Sequence, residues 1–436
     1  MNYSDLLQIK AGEEGSAPFL IWDGQRISYG EMMERARHIA LLLGKDIGHR
    51  LIGIRSAVPV NQLAAFFAAE MGGAVPVILH EFLKGEKLRL FLEHSGLSFL
   101  LEEEDGEWTV QPCGGNTMPT SVVMGVLTSG TSGMPKVLLR TYESWASFFP
   151  TQNRIFQMDA RARVYIQGSF GFTGNLSIVM GVLAAGAALV GASALRPRTW
   201  MKDVEREKVT HIYMIPSKLS ALVRAEGLVS SVRMILSGSQ LMTEELLSQL
   251  KKHFPKSRVL LYYGASETSY VSYLMDDELA AHPGSVGRPF PGVTVSVHEG
   301  ELFVTTQGLV YGAVSPFASG DLGEIDEEGY ILFHGRKSDV YNIKGNHVSK
   351  TEILACLREL PFVREADILP FLTETRETKL AAFLAADREG REAVLAHLRA
   401  RLQPWEIPAK IFFLPELPVT STGKVDYGQL MEMLTT

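Results

Sequence analysis

The chain has 436 residues, of which 46% are hydrophobic and 21% charged, and its formal net charge is −7. This length exceeds what one hydrophobic core usually serves, so two or three domains are expected. The negative charge, without a basic stripe, argues against nucleic-acid binding, which depends on cationic neutralisation of phosphates. Two cysteines, Cys113 and Cys356, exclude a disulfide framework and indicate a reducing compartment.

The first 120 residues are predicted to alternate between helices and strands. Residues 28–44 carry hydrophobic side chains at spacings of three and four, with Ser at the start and Gly at the end, as in a capped amphipathic helix. LIGIRS (51–56) and AVPVILH (74–80) predict buried strands with a helix between them, and this order predicts a parallel sheet. The polar, acidic N-terminus is not a signal peptide, so a cytoplasmic protein is predicted.

The same alternation continues in the middle of the chain. Strands that end in Gly, Ser or Pro are predicted at VYIQGS (164–169), HIYMIPS (211–217), VRMILSGS (232–239) and RVLLYYG (258–264). In open parallel sheets, ligand sites lie at such strand ends. Residues 178–195 are apolar and just long enough to cross a bilayer, but glycines interrupt them. A buried helix running into a core strand is the favoured interpretation, without stable membrane insertion.

The pattern changes twice near the C-terminus. From Gly284, short alternating segments predict an antiparallel sheet or small barrel, and the last hundred residues predict a compact α+β segment. The predicted fold class is α/β: a large N-terminal domain (1–336) of parallel-rich sheets flanked by helices, with a small antiparallel sheet or barrel. A small, mobile α+β domain (337–436) follows it.

One loop has the composition of a phosphate site. TSGTSGMPK (128–136) offers hydroxyls, glycine-freed backbone N–H groups and one ammonium, which suit a polyphosphate. The Walker pattern does not fit, because Pro135 stands where its second glycine must be. On its own, a flexible surface loop is the alternative. The candidate residues are Thr128, Ser129, Gly130, Thr131, Ser132, Gly133 and Lys136.

This loop resembles the phosphate loop of the adenylate-forming superfamily, which includes acyl-CoA synthetases, peptide-synthetase adenylation domains and luciferases. It departs from the family pattern at Ser132 and Val137, and Tyr142 stands where many members have His. The resemblance covers nearly the whole chain, although the segment before the loop is shorter than usual. Four further motifs follow in the family's order, YYGASE (262–267), SGDLG (319–323), IKGNHVSKTEI (343–353) and ELPVTSTGKVD (416–426).

The resemblance implies a role for one residue in each motif, and for Arg336 in DEEGYILFHGRKSD (326–339), which follows SGDLG. Glu267 would bind Mg²⁺, because a carboxylate near a polyphosphate is costly without a cation between them. Asp321 would accept hydrogen bonds from the ribose hydroxyls, with Arg336 as a second ribose or phosphate contact. Gly345 would let a pantetheine arm pass, or serve only a tight turn. Lys424 would reach both the carboxylate and the α-phosphate, unless it is an ordinary solvent lysine.

Further candidates follow from the same resemblance. Lys424, Glu267 and Thr128 are the catalytic candidates. Additional nucleotide contacts are expected from Ser239, Gln240, Tyr263, Gly264 and Ser266. The acyl pocket is expected to include Phe170, Phe172, Gly174, Gly238 and Gly264.

The acyl segment around residue 172 bears on the substrate. Peptide-synthetase domains for α-amino acids carry an Asp in the stretch equivalent to FTGN (172–175), and this chain has no acid there. Gly171 replaces a gating His that is common in acyl-CoA synthetases, and the neighbouring side chains are apolar. An uncharged acid is therefore predicted, with a fatty acid favoured weakly over an aryl acid.

The predicted activity is that of an acyl-CoA ligase. It would use ATP and Mg²⁺ to convert a carboxylic acid to an acyl-adenylate, and then transfer the acyl group to CoA. One alternative is a stand-alone adenylating enzyme that loads the phosphopantetheine of an acyl carrier protein. Another is a non-catalytic nucleotide-binding regulator. The oligomeric state is open, with a homodimer as one option.

Overall fold

The computed structural model describes residues 1–44, 47–128, 134–238, 242–343, 346–373, 377–387, 390–419 and 425–435. The chain divides into two compact units. Unit 1 comprises Met1–Ser296, Phe303–Phe317 and Ile325–Leu332. Unit 2 comprises Val297–Leu302, Ala318–Glu324 and Phe333–Thr436. The predicted domain boundary after Arg336 stays a prediction.

Helices and strands alternate through the first part of the chain, as predicted. In order they are α1 (Tyr3–Glu14), β1 (Pro18–Trp22), β2 (Gln25–Ser28), α2 (Tyr29–Leu43), β3 (Leu51–Arg55), α3 (Pro59–Met71), β4 (Val75–Ile78), α4 (Gly85–His94), β5 (Phe99–Glu104), β6 (Glu107–Pro112), β7 (Val122–Thr128) and β8 (Lys136–Thr141). The middle of the chain continues with α5 (Glu143–Ala146), α6 (Phe149–Ile155), β9 (Arg163–Ile166), α7 (Thr173–Ala185), β10 (Ala188–Gly191), α8 (Pro197–Arg206), β11 (His211–Tyr213), α9 (Pro216–Leu222), β12 (Met234–Gly238), α10 (Glu244–His253), β13 (Arg258–Ala265) and β14 (Ser269–Met275).

Short strands follow, and then the α+β segment. The strands are β15 (Arg288–Pro289), β16 (Thr294–His298), β17 (Glu301–Thr305), β18 (Phe317–Ile325) and β19 (Ile331–Arg336). The last elements are β20 (Val340–Ile343), β21 (Asn346–Ser349), α11 (Lys350–Arg358), β22 (Val363–Leu372), β23 (Thr378–Ala386), α12 (Arg391–Arg399), β24 (Lys410–Leu414) and α13 (Tyr427–Thr435).

One sheet of unit 1 sets up the candidate site. Its strand order is β15-β14-β13-β12-β11-β9-β10-β1-β2. The strands from β13 to β1 in that order run parallel, so their C-terminal ends share one edge. Their side chains are almost entirely buried, as expected for a parallel sheet covered on both faces. The strands predicted at 164, 211, 232 and 258 are therefore confirmed as β9, β11, β12 and β13.

A second sheet confirms the N-terminal prediction. Its order is β4-β3-β5-β6, with β3 parallel to both β4 and β5. The predicted amphipathic helix is α2, which begins with a capping box. The Ser28 hydroxyl accepts from the Glu31 amide at 3.1 Å, and the Glu31 carboxylate accepts from the Ser28 amide at 2.7 Å. These hydrogen bonds lower the pKa of Glu31 and satisfy two otherwise unpaired N–H groups.

The apolar stretch at 178–195 forms the end of α7 and the core strand β10, which confirms the favoured interpretation. Gly186 ends α7 in the left-handed conformation, with φ of 69°. Within the described part of the chain, no helix is both long and apolar enough to cross a membrane.

Unit 2 is an α+β body, as predicted. β20 and β21 form an antiparallel hairpin, and a separate sheet has the order β22-β23-β24. Hydrophobic side chains of α11, α12 and this sheet form one core, which includes Ile353, Leu357, Ile368 and Leu398. β16, β17, β18 and β19 form a further sheet in that order. The predicted α/β fold class, with a small α+β unit, is confirmed.

Candidate active site

The phosphate loop joins two paired strands. β7 and β8 are antiparallel, and Thr128 pairs with Lys136 across the hairpin. Thr128 is half-buried and Lys136 is exposed. Ser129 to Gly133 lie outside the described residues. The two ends of the loop are thus fixed by the strand pairing.

The same hairpin is bonded to the acyl segment. Leu127, next to the phosphate loop, forms a parallel bridge with Phe172. The Thr173 hydroxyl donates to the Leu127 carbonyl at 3.0 Å. The predicted phosphate loop and the predicted acyl segment therefore meet at the end of β7.

Glu267 lies in the tight turn between β13 and β14. Its side chain is half-buried, and its carbonyl accepts from the Val310 amide at 2.9 Å. Just before the turn, a Cβ on Gly264 would collide with the Ser269 carbonyl. Gly264 is therefore required for the close approach of the two strands, which positions the carboxylate at residue 267.

A buried guanidinium, which the sequence analysis did not identify, supports this turn. Arg140 of β8 is fully buried and donates to the carbonyls of Ser266 at 2.6 Å and Gly308 at 3.1 Å. Burial lowers its pKa to about 10, against the opposing effects of Tyr3 and Glu267. Arg140 thus holds the turn with Glu267 to the strand that leaves the phosphate loop. Its signal in the sequence was a charged residue directly after the apolar run of residues 137–139.

Two predicted glycines of the acyl pocket contact tyrosines. A Cβ on Gly174 would collide with the Tyr213 hydroxyl, and one on Gly238 would collide with the Tyr262 ring. The two tyrosine hydroxyls are 2.6 Å apart. Burial raises the pKa of both, to about 12 for Tyr262. The glycines therefore make room for a neutral, hydrogen-bonded tyrosine pair at the C-terminal edge of β11 and β13.

Tyr262 is backed by a further aromatic side chain. The Tyr270 ring packs edge-on against Tyr262, with centroids 5.0 Å apart. Tyr270 also lines a cavity of about 350 Å³, together with Gln152 and Ser177.

The two predicted phenylalanines have different neighbours. Phe170 is fully buried and packs against Trp22, with ring centroids 5.2 Å apart. Phe172 packs against His80, with centroids 4.5 Å apart. Of the two phenylalanines, Phe172 is therefore the one whose ring contacts a polar side chain, His80.

His80 occupies the space beside Gly171. A Cβ on Gly171 would lie 2.8 Å from the His80 Nδ1 and 3.1 Å from the Ile78 carbonyl. Burial lowers the pKa of His80 to about 4, so the imidazole is neutral. Within the described residues its Nδ1 has no hydrogen-bond partner. Gly171 stands where acyl-CoA synthetases commonly have a His. In this structure the imidazole of His80, from the segment after β4, lies beside that position.

In unit 2 the two predicted ribose residues are adjacent. The Asp321 carboxylate is buried, and its Oδ1 is 3.1 Å from the Arg336 Nε. The Asp321 amide donates to the Ser319 hydroxyl at 3.1 Å, and that hydroxyl donates to the Leu302 carbonyl at 2.7 Å. The carboxylate is thus held in place from both its side chain and its backbone.

Several predicted residues fall outside the described part of the chain. They are Ser239, Gln240, Gly345 and Lys424, together with the phosphate-loop residues already mentioned. Residues on either side of the last two are paired: Ile343 with Asn346, and Val419 with Val425.

Family models match most of the chain. One described as "AMP-binding enzyme" matches residues 7–310, and one described as "AMP-binding enzyme C-terminal domain" matches residues 352–424. The chain belongs to the AMP-binding enzyme family. The predicted membership of the adenylate-forming superfamily is confirmed, and so is the prediction of an AMP-forming acid–thiol ligase.

Two relatives show the range of this family. The Staphylococcus epidermidis protein named "Putative long chain fatty acid-CoA ligase VraA" is 22% identical, over 93% of this chain and 92% of that protein. Gramicidin S synthase 2 of Aneurinibacillus migulanus is 25% identical, over 98% of this chain and 11% of that protein.

Solved structures share the fold of this AMP-binding enzyme. o-Succinylbenzoate CoA synthetase (MenE) of Bacillus subtilis, with the acyl-adenylate OSB-AMP, has a TM-score of 0.84 at 21% identity and covers 98% of this chain and 97% of that chain. The same protein with ATP and a magnesium ion has a TM-score of 0.84 at 20% identity, with 98% and 99% covered.

Proposed function

We propose that this AMP-binding enzyme activates a compact carboxylic acid with Mg·ATP and transfers the acyl group to the thiol of CoA. The observation that carries the proposal is the junction at the end of β7. There the phosphate hairpin is bonded to the acyl segment, and through Arg140 to the turn with Glu267. A carboxylate and a triphosphate bound to these neighbouring elements would be held for reaction, which is the main contribution to such catalysis.

The residues of unit 1 suit a nucleotide that carries its own cation. Mg²⁺ is usually held by one or two carboxylates plus substrate phosphates, and it would neutralise charge on those phosphates. Glu267 offers one such half-buried carboxylate. Among the described residues, no cluster of three or more potential metal ligands occurs, so a preformed metal cage is not part of the proposal. The MenE structure with ATP and magnesium supports the same pair of ligands here.

The other predicted roles complete the proposal. Residues 128–136 would bind the β- and γ-phosphates, and Asp321, held by Arg336, would bind the ribose. Lys424 would stabilise negative charge at the α-phosphate while the acid attacks. Residues 337–436 would form the mobile C-terminal domain that carries Lys424, and Gly345 would admit the pantetheine arm.

The tyrosine pair changes the favoured substrate from a fatty acid to a shorter or aryl acid. Tyr213 and Tyr262 fill the space between Gly174 and Gly238, two residues that the family resemblance assigns to the acyl pocket. Their hydrogen bond would have to break before a long chain could enter. The MenE complex with the acyl-adenylate OSB-AMP supports an aryl acid, whereas the similarity to VraA, named a "Putative long chain fatty acid-CoA ligase", favours a fatty acid.

A carrier protein is the second candidate acceptor. Gramicidin S synthase 2 is similar to this chain over 98% of its length, and Gly345 would serve the phosphopantetheine of either acceptor. Discharge of the acyl-adenylate by CoA or by a pantetheinylated carrier protein would separate the two.

Acid-dependent ATP–pyrophosphate exchange tests the proposed function. We expect exchange with aryl and short-chain acids, and its loss in Glu267→Gln. Glu226→Gln, at an exposed acid of the same unit, is the matched control. Exchange confined to long-chain acids would contradict the compact pocket, and exchange confined to amino acids would contradict the acyl assignment. Silence with every acid would favour a nucleotide-binding regulator.

A further inference from the structure

A lysine that the proposed chemistry does not use points at the acyl segment. Lys218 lies in α9, just after β11 ends at the C-terminal edge of the sheet. Its ammonium donates to the Gln167 carbonyl at 2.9 Å. A Cβ on Gly168 would lie 2.9 Å from the Lys218 Nζ and 3.3 Å from the Asn175 Nδ2. The ammonium therefore faces the loop that runs from β9 into α7, where the acyl pocket begins.

This cation has no counter-ion within the described part of the chain. Burial lowers the pKa of Lys218 to about 8, and no charged neighbour contributes to that shift. A half-buried ammonium with a single carbonyl partner is energetically unfavourable, because desolvation is not offset by an opposite charge. An anion beside it would supply that offset through charge-assisted hydrogen bonds.

The surrounding side chains are polar but uncharged. Gln167 is 5% exposed, and its Oε1 has no hydrogen-bond partner among the described residues. The Asn175 side chain donates to the Ser169 carbonyl at 3.0 Å. Gly174, next to Asn175, is the residue that abuts the Tyr213 hydroxyl. Asn175, which lies with the Lys218 Nζ beside Gly168, is thus the chain neighbour of the residue that abuts the tyrosine pair.

We propose that Lys218 binds a second carboxylate on the substrate, so that this enzyme prefers a compact dicarboxylic acid to the matching monocarboxylic acid. The inference rests on the proposed function, and it replaces the uncharged acid expected from the sequence. The carboxylate that reacts would lie at the phosphate junction, and the other would approach Lys218. A carboxylate is preferred over a neutral acceptor because only a charge offsets the buried ammonium.

The test compares matched acids in ATP–pyrophosphate exchange. Benzoate is paired with 2-carboxybenzoate, and butyrate with succinate. We expect wild type to show a higher kcat/KM for the dicarboxylic member of at least one pair. Lys218→Met should lower the ratio of the two kcat/KM values roughly 10- to 100-fold, the usual effect of losing a charged hydrogen bond. Lys218→Arg should retain most of the ratio, and Lys202→Met, at an exposed lysine of α8, should leave it unchanged.

Three outcomes would overturn the proposal. Wild type could favour both monocarboxylic acids. Lys218→Met could lower both members of a pair equally, as expected if Lys218 only fixes the Gln167 carbonyl. If wild type showed no exchange with any acid, both the proposed function and this inference would be contradicted. Either of the first two results would contradict this inference alone and would leave the proposed ligase activity supported.

Discussion

At the residue scale, the close contact between Gly171 and His80 predicts that even one added methyl group will destabilise the fold. Gly171→Ala would place a methyl group 2.8 Å from the His80 Nδ1 and 3.1 Å from the Ile78 carbonyl. We expect a loss of about 1–3 kcal/mol in the free energy of unfolding, as is usual for an overpacked core. Urea unfolding measures it, with Gly12→Ala in α1 as control, because a Cβ there meets nothing within 4 Å.

The double variant Gly171→Ala/His80→Ala identifies the cause. If the imidazole is the obstacle, the two substitutions will not be additive, and the double variant will recover part of the loss. Strict additivity would show that the Ile78 carbonyl alone carries the strain.

The charge of Lys218 has a second consequence, in its pH dependence. Its pKa is about 8 in the folded chain and 10.5 in an unperturbed lysine, so the unfolded state binds more protons between those values. Stability relative to Lys218→Met should therefore rise from pH 8 to pH 10.5. The hydrogen-bond partner of the ammonium, the Gln167 carbonyl, does not titrate.

Substrate preference should change in the opposite direction over the same range. Once the ammonium loses its proton above pH 8, the wild-type ratio of dicarboxylic to monocarboxylic kcat/KM should fall toward that of Lys218→Met. A ratio that stays constant from pH 7 to pH 9.5 would show that the ammonium does not bind the substrate.

At the element scale, a buried network joins α11, β22 and α13 of unit 2. The Lys350 Nζ is 2.6 Å from the Asp367 Oδ1 and 3.0 Å from the Tyr427 hydroxyl, and both charged side chains are 7% exposed. Burial disfavours the lysine charge, but the Asp367 carboxylate outweighs burial and raises the pKa of Lys350. The network ties the helix that follows the Lys424 motif to the helix that follows the Gly345 motif.

Replacing one partner of the Lys350–Asp367 ion pair should lower the free energy of unfolding more than replacing both partners. We expect Lys350→Met to lower the free energy of unfolding by about 3–5 kcal/mol, because it leaves Asp367 buried without its counter-ion. Lys350→Met/Asp367→Leu should recover most of that loss in urea unfolding. A double variant as unstable as the single one would mean that packing, not charge, dominates here.

Helices and strands were predictable where their signals are local. The capping box of α2 is written in four consecutive residues, and the core strands are short apolar runs that end in Gly, Ser or Pro. Arg140 and Lys218 were not predicted as site residues, because their roles depend on partners 126 and 51 residues away. No pattern within one element shows that β8 supports the turn after β13, or that α9 faces the loop before α7.

At the scale of the whole molecule, the order of motifs identified the family, whereas the substrate depends on packing between elements. Motif order is preserved along the chain, so the sequence alone was enough to assign it. The residues of the predicted acyl pocket come from separate elements. Tyrosine side chains occupy the space beside Gly174 and Gly238, and this contact exists only once the strands are assembled. The choice between a fatty acid and an aryl acid therefore stays a prediction.

Two half-reactions should depend differently on the C-terminal motif. Lys424 is proposed to stabilise charge at the α-phosphate only while the acid attacks, so Lys424→Ala should lower acid-dependent exchange by roughly 100-fold or more. Thioester formation from supplied acyl-adenylate and CoA should continue at a near wild-type rate, since that step does not form the adenylate. Quenched-flow assays of each half-reaction measure both, with Lys87→Ala, at an exposed lysine of α4, as the matched control. Equal loss in the two steps would assign Lys424 to the shape of the C-terminal domain instead of to adenylation.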